Sequence, residues 1–144
     1  MPNFIKFLTT IFIALIVVNS SQAAGNFHTP KRGTAERKAI LDAVRPSVEA
    51  DLFKPIEFVV TAMRVSGNWA FVILEPQRPG GRPIDIRKTA VAEDADFFDG
   101  LTTFGLVHFN GSRWNAKAVV IGPTDVAWEP WASQFGAPQH LIFQ

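Results

Sequence analysis

The chain has no cysteine and no tyrosine among its 144 residues. Without cysteine no disulfide braces the fold, so stability has to come from apolar burial. A lipid anchor attached to a processed N-terminal cysteine is excluded for the same reason. The lack of tyrosine removes phenol chemistry from the available mechanisms. An excess of charge is also missing, since 14 basic side chains face 13 acidic ones for a formal net charge of +1. Nucleic acid selects a basic face, which this balance does not supply, and no polybasic membrane patch stands out. The three histidines, His28, His108 and His140, are widely separated and form no metal-ligand spacing. Nor is there an apolar run of the roughly 20 residues that a spanning helix needs.

What apolar run there is lies at the N-terminus. Met1 to Lys6 is short and carries the amino terminus and Lys6 as positive charges, and Phe7 to Val18 is apolar apart from Thr9 and Thr10. Polar Asn19 to Gln22 and then small Ala23 and Ala24 follow. This is the three-part order of a cleavable secretory signal peptide. Ser21 and Ala23 fill the two positions that a signal peptidase inspects, which sets the cut after Ala23, with Ala24 as the alternative. The expected location is therefore periplasmic or secreted, with no stable membrane anchor after cleavage. Removing residues 1–23 takes Lys6 with it, so basic and acidic side chains become equal in number. The remainder has the length of one domain, and thirteen phenylalanines and four tryptophans supply its core.

Residues 24–33 mix glycine, proline and charge without a period and read as a flexible lead-in, which sets the folded domain at residues 34–144. Thr34 is a good N-cap with Glu36 in the first turn, and Leu41, Val44, Val48 and Leu52, supported by Ile40, recur at helical spacing. Pro46 lies inside this pattern and predicts a kink or break; Pro55 ends it.

Residues 56–65 and 69–74 flank Ser66, Gly67 and Asn68 and read as a hairpin. In its second strand the large Trp69, Phe71 and Ile73 are expected to face the helix, and the smaller Ala70, Val72 and Leu74 a neighbouring element. After a Gly/Pro-rich loop, Ile84, Asp85 and Ile86 read as a short edge strand, followed by an acidic connection. Residues 101–109 and 113–121 flank Asn110 and Gly111, which predicts a second hairpin with both turn residues at positive φ. Thr124 and Asp125 then cap a short helical turn carrying Val126, Trp128 and Trp131, limited by Pro130, and an apolar tail of Leu141, Ile142 and Phe143 packs down. The fold class is α+β: one long N-terminal helix on a curved antiparallel sheet of about four strands, plus a short C-terminal helical turn.

Arg37 to Pro46, Trp69 to Val72, Trp114, and Gly122 to Val126 with Trp128 and Trp131 together resemble a group of small exported bacterial proteins of unknown function. The resemblance covers roughly Thr34 to Pro138 and implies a cystatin-like or nuclear transport factor two-like topology. A cystatin inhibitor would also show a glutamine, valine, glycine hairpin loop, where this chain has Val65, Ser66, Gly67 and Asn68; only Pro130 and Trp131 echo the second inhibitory loop. Fold likeness alone supplies no function.

The candidate site residues carry plainer roles beside the functional ones. His108 alternates with Phe104 and Leu106 and is a candidate base if a carboxylate, Asp125 or Asp85, faces it; its plainer role is structural. Asp125 otherwise caps the C-terminal turn. Arg45 becomes an anion-binding candidate if it turns inward below Pro46, and otherwise forms a surface pair with Asp42. Trp69 and Trp114 belong to the core, whereas Trp128 and Trp131 are candidates for a ligand-binding rim. No metal site and no cofactor motif is present in the sequence. The expected function is a non-enzymatic envelope domain that binds a small ligand or an envelope protein between helix and sheet. Its rivals are a small enzyme with an acid/base pair in that space and an inhibitor or interaction module with an exposed apolar patch around Trp128 and Trp131.

Overall fold

The structure is a computed structural model and describes residues 25–143. The expected signal segment and its cleavage site lie outside the described residues. Among the described residues no helix is long and apolar enough to cross a membrane.

Helix α1 spans Ala35–Leu52 and starts where expected: Thr34 is extended, with φ −77 and ψ 149, and its Oγ1 accepts the Arg37 N–H at 3.4 Å. It runs unbroken through Pro46. Pro46 is exposed, so its ring lies towards water, and water can also meet the Asp42 carbonyl that loses its helical partner. The stripe that enters the core is Ile40, Val44, Val48 and Leu52, a strict four-residue repeat with every member fully buried. Leu41 is only partly buried and lies on the flank of the stripe, a shift that leaves it available beside the sheet edge. Past Leu52, Phe53 turns the chain at φ 61, and the Arg78 guanidinium closes the helix end by donating to the carbonyls of Leu52 (2.8 Å), Phe53 (2.6 Å) and Pro55 (3.0 Å).

Four strands, β1 Glu57–Ser66, β2 Trp69–Gln77, β3 Thr103–Phe109 and β4 Trp114–Ile121, form a curved, open antiparallel sheet in the order β1-β2-β3-β4. Both hairpins are present. Gly67, at φ 55, takes the first central position of the first turn, between paired Ser66 and Trp69. In the second, Asn110 is not at positive φ. It bonds Arg113 through the backbone, its Oδ1 accepts from the N–H groups of Ser112 (3.0 Å) and Arg113 (2.9 Å), and only Gly111, at φ 95, is left-handed. The turn is thus centred on Gly111 and Ser112, because an asparagine side chain can stand in for a backbone acceptor. Bulges interrupt the β1–β2 register at Thr61 and the β3–β4 register at Lys117.

The faces of β2 are the reverse of the sequence expectation. Ala70, Val72 and Leu74 pack under α1, while Trp69, Phe71 and Ile73 face outward against the C-terminal segment. The reason lies on β3: Gly105 has no side chain, so α1 sits close to the sheet, and a Cβ there would stand 2.9 Å from Val72 Cγ2 and 3.2 Å from Val44 Cγ2. Only small inward residues fit beneath a helix that close. The bulky outer face is covered instead by α2 Trp131–Phe135 and α3 Gln139–Ile142. Pro130 opens α2 rather than ending a helical turn, as suits a residue with no N–H to leave unpaired at a helix start. Leu141 and Ile142 are buried as expected; Phe143 is exposed.

Two further elements differ from expectation. Ile84 to Ile86 form no strand: Asp85 Oδ1 accepts the Arg87 N–H at 3.2 Å and caps a 3₁₀ turn over Ile86–Lys88, an alternative to ladder pairing that aspartate readily offers. The lead-in is docked, since His28 exchanges two backbone bonds of 2.9 Å with Val65. Thr29 Oγ1 also donates to the Met63 carbonyl at 2.9 Å, and Pro30 is buried. Finally, Arg64 bridges the layers, its Nη1 donating to the Leu141 carbonyl at 2.7 Å while its guanidinium lies 5.9 Å from the Phe27 and Phe71 rings. Burial lowers the pKa of that guanidinium from its ordinary value.

Candidate functional site

The space between α1 and the sheet is filled. Ile40, Val44, Val48 and Leu52 from the helix and Ala70, Val72, Leu74 and Val107 from the sheet are all fully buried. Among the described residues the only buried polar side chains are Thr89 and Thr103, so no titratable group points into that interior. Thr89 Oγ1 donates to the Ile86 carbonyl at 2.7 Å and Thr103 Oγ1 to the Leu101 carbonyl at 2.9 Å, so both are satisfied locally.

The acid and base candidates are not brought together. Thr103 pairs with Ile121 and His108 with Asn115, so Asp125 follows the end of β4 that lies beside Thr103, and about 17 Å of β3 separates Thr103 from His108. His108 is on the outer face and packs on Trp69, ring centroids 4.4 Å apart. Asp85 belongs to the loop whose Ile84 packs on the α1 side of the sheet, and it faces Lys88 at 3.6 Å. Asp125 is exposed and caps no helix; it borders a shallow depression of about 270 Å³ with Phe97, Phe98 and Pro123. Ser66 and His140 do meet, Oγ to Nε2 at 3.1 Å, in a contact that ties α3 to the first hairpin. Among the described residues no group of three metal-ligating side chains is close enough to hold an ion.

The tryptophan candidates also move. Trp131 is 7% exposed and belongs to the outer core, which withdraws it from any rim and removes the echo of an inhibitory hairpin, because Pro130 and Trp131 lie on α2. Trp128 stacks on Phe104 with centroids 5.2 Å apart and planes 20° apart. Trp69 and Trp114 are partly buried and pack against the outer and inner cores.

An open groove lies instead on the flank of α1, between the helix and the edge strand β1. It encloses about 670 Å³; Leu41, Phe58 and Val60 form its floor, and Arg32, Arg37 and Lys38 its rim. Arg45 closes one end. It does not turn into the core: Nη1 donates to the Ile56 carbonyl at 2.6 Å, the guanidinium stands 4.8 Å over the Phe58 ring, and Asp42 and Glu49 lie 3.9 and 3.7 Å away. A second concavity of about 560 Å³ continues past Arg32, Arg37 and Val60 along β1 to Thr61–Arg64, with Lys31 on its border.

The charge on this rim is unbalanced. Lys38 is paired with Asp42, but Lys31, Arg32 and Arg37 have no carboxylate partner among the described residues. Arg37 is oriented by the Pro30 carbonyl, to which Nη1 donates at 3.0 Å. Sequence reading left Lys31 and Arg32 in the lead-in and Arg37 and Lys38 on the helix, and gave none of the four a site role. A signal was nevertheless there: four cations, Lys31, Arg32, Arg37 and Lys38, crowd the start of a helix, where the macrodipole disfavours positive charge by about 0.3–1 kcal/mol each. Comparison of the chain with protein-family models, with curated proteins and with solved structures finds no match in any of the three.

Proposed function

We propose that the protein is an exported, non-enzymatic binding domain that takes an anionic partner through the groove between α1 and β1. The observation that carries this reading is the placing of Arg32 and Arg37 beside an apolar floor of Leu41, Phe58 and Val60, with Lys31 on the adjoining concavity, none of the three having a carboxylate partner among the described residues. Guanidinium groups hold carboxylates in two-point geometry, and an apolar floor favours ligands that carry hydrocarbon beside the charge. The location, periplasm or exterior, follows from the N-terminal signal pattern. The resemblance to small exported bacterial proteins by itself assigns no partner.

The full chain, produced in a bacterial host, is expected to be exported and to begin at Ala24, which intact mass measures. N-dodecanoyl-glutamate, an aliphatic chain with two carboxylates, serves as the probe. The double substitution Lys31→Glu with Arg32→Glu is expected to weaken its binding at least tenfold, about 1.4 kcal/mol. Both side chains are exposed and make no hydrogen bond among the described residues, so folding is expected to be left intact. Binding should also weaken with added salt. Equal binding by the wild type and the double variant at low salt would remove the groove from the function.

A further inference from the structure

We propose, resting on the groove reading, that the occupant is an extended acidic polypeptide segment that joins the sheet as a strand beside β1 at Phe58–Val60. The hydrogen-bonding phase of β1 is fixed by its own lead-in. His28 exchanges backbone bonds with Val65, so the N–H and C=O of Val65 point away from β2, and Thr29 reaches the Met63 carbonyl on the same side. The extra residue at Thr61 then shifts the alternation, so that Val60 and Phe58 are the next residues to direct their backbone groups outward. Among the described residues nothing bonds to those groups.

The edge is therefore half covered. Residues 28 and 29 act as the start of a fifth strand, and Pro30, which has no N–H to donate, turns the chain off towards α1. What remains open lies directly along the groove floor. A neighbouring strand presents its backbone groups at the same two-residue repeat, which a small ligand does not, and its alternate side chains would enter the groove.

Charge selects the strand. Lys31, Arg32 and Arg37 border the open edge and favour carboxylates on the incoming segment. They also disfavour a second copy of this chain: in a symmetric pair of β1 edges the same cations would face one another. The short open stretch, the bulge and the flanking cations are devices that keep neutral strands off an edge, and here they leave it open to an acidic one.

The test uses the full chain exported by a bacterial host and a fluorescent eight-residue peptide of alternating Glu and Val. Two further peptides carry N-methyl groups on alternate amides, in one phase or the other. Strand pairing predicts that the parent peptide binds, that one N-methylated phase loses at least tenfold in affinity while the other keeps it, and that the Phe58 and Val60 amides exchange more slowly in the complex. If both N-methylated peptides bind like the parent and those amides exchange as before, strand pairing is wrong while the groove reading survives. If neither the peptide nor N-dodecanoyl-glutamate binds, the groove reading itself fails. If light scattering shows a dimer with the same two amides slowed in the absence of peptide, the occupant is a second copy and the proposal is overturned.

Discussion

Replacing Trp131 by alanine is expected to remove about 3–5 kcal/mol of unfolding free energy, the range for deleting a large aromatic from a packed site. Trp131 opens α2 and, at 7% exposure, packs with Phe71, Leu106, Leu141 and Ile142 in the core between the outer sheet face and the C-terminal helices. The loss is large against the 5–15 kcal/mol of a typical domain, because the cavity would sit under two helices of only five and four residues that have little stability of their own. Urea unfolding measures it. Under conditions where the variant remains folded, its affinity for N-dodecanoyl-glutamate should match that of the wild type. Unchanged stability with lost binding would return Trp131 to a rim.

Replacing Gly105 by valine is expected to cost about 3 kcal/mol, the upper end of the usual range for overpacking. Already a Cβ at this position would meet Val72 Cγ2 at 2.9 Å and Val44 Cγ2 at 3.2 Å, and both neighbours are β-branched side chains fully buried in the core. Neither can swing aside into solvent. Relief requires α1 to lift from β3, which strains the seating of Ile40, Val48 and Leu52 as well. Gly105→Ala should lose less, about 1–2 kcal/mol, because it adds a single carbon. A valine variant as stable as wild type would mean that unfilled space lies between helix and sheet.

Much of the fold was readable from local chemistry. Thr34 as N-cap, the stripe through Val44, Val48 and Leu52, and the two hairpins each follow from one or two residues with strong preferences. What was not readable depends on contacts between distant segments. Sequence alternation in β2 separates Trp69, Phe71 and Ile73 from Ala70, Val72 and Leu74, but which set meets α1 depends on Gly105, some thirty residues further along the chain. Asp85 sits in an apolar, strand-like triplet and yet caps a 3₁₀ turn, a local competition that composition does not resolve. Residues 28–30 lack any period, and they order only because an edge of β1 offers them partners.

The site was less legible than the fold. Arg45 was singled out and does border the groove, although its donors are engaged by the Ile56 carbonyl and nearby carboxylates. His108, Asp125 and Asp85 are individually reasonable candidates that the topology disperses over two faces and two ends of the sheet. The rim cations were overlooked because their significance lies in what is absent beside them, and pairing across an α/β junction leaves no mark in a linear pattern.

That binding belongs to the helix flank and not to the helix–sheet interior is tested most directly by a residue-resolved amide NMR map of the protein titrated with N-dodecanoyl-glutamate. Shifts confined to residues 31–42 and 58–61 are predicted, with Gly105, Val107 and the segment around Asp125 unmoved. Shifts centred on Gly105 and Val107, or on Pro123 to Asp125, with residues 31–42 unmoved, would contradict it.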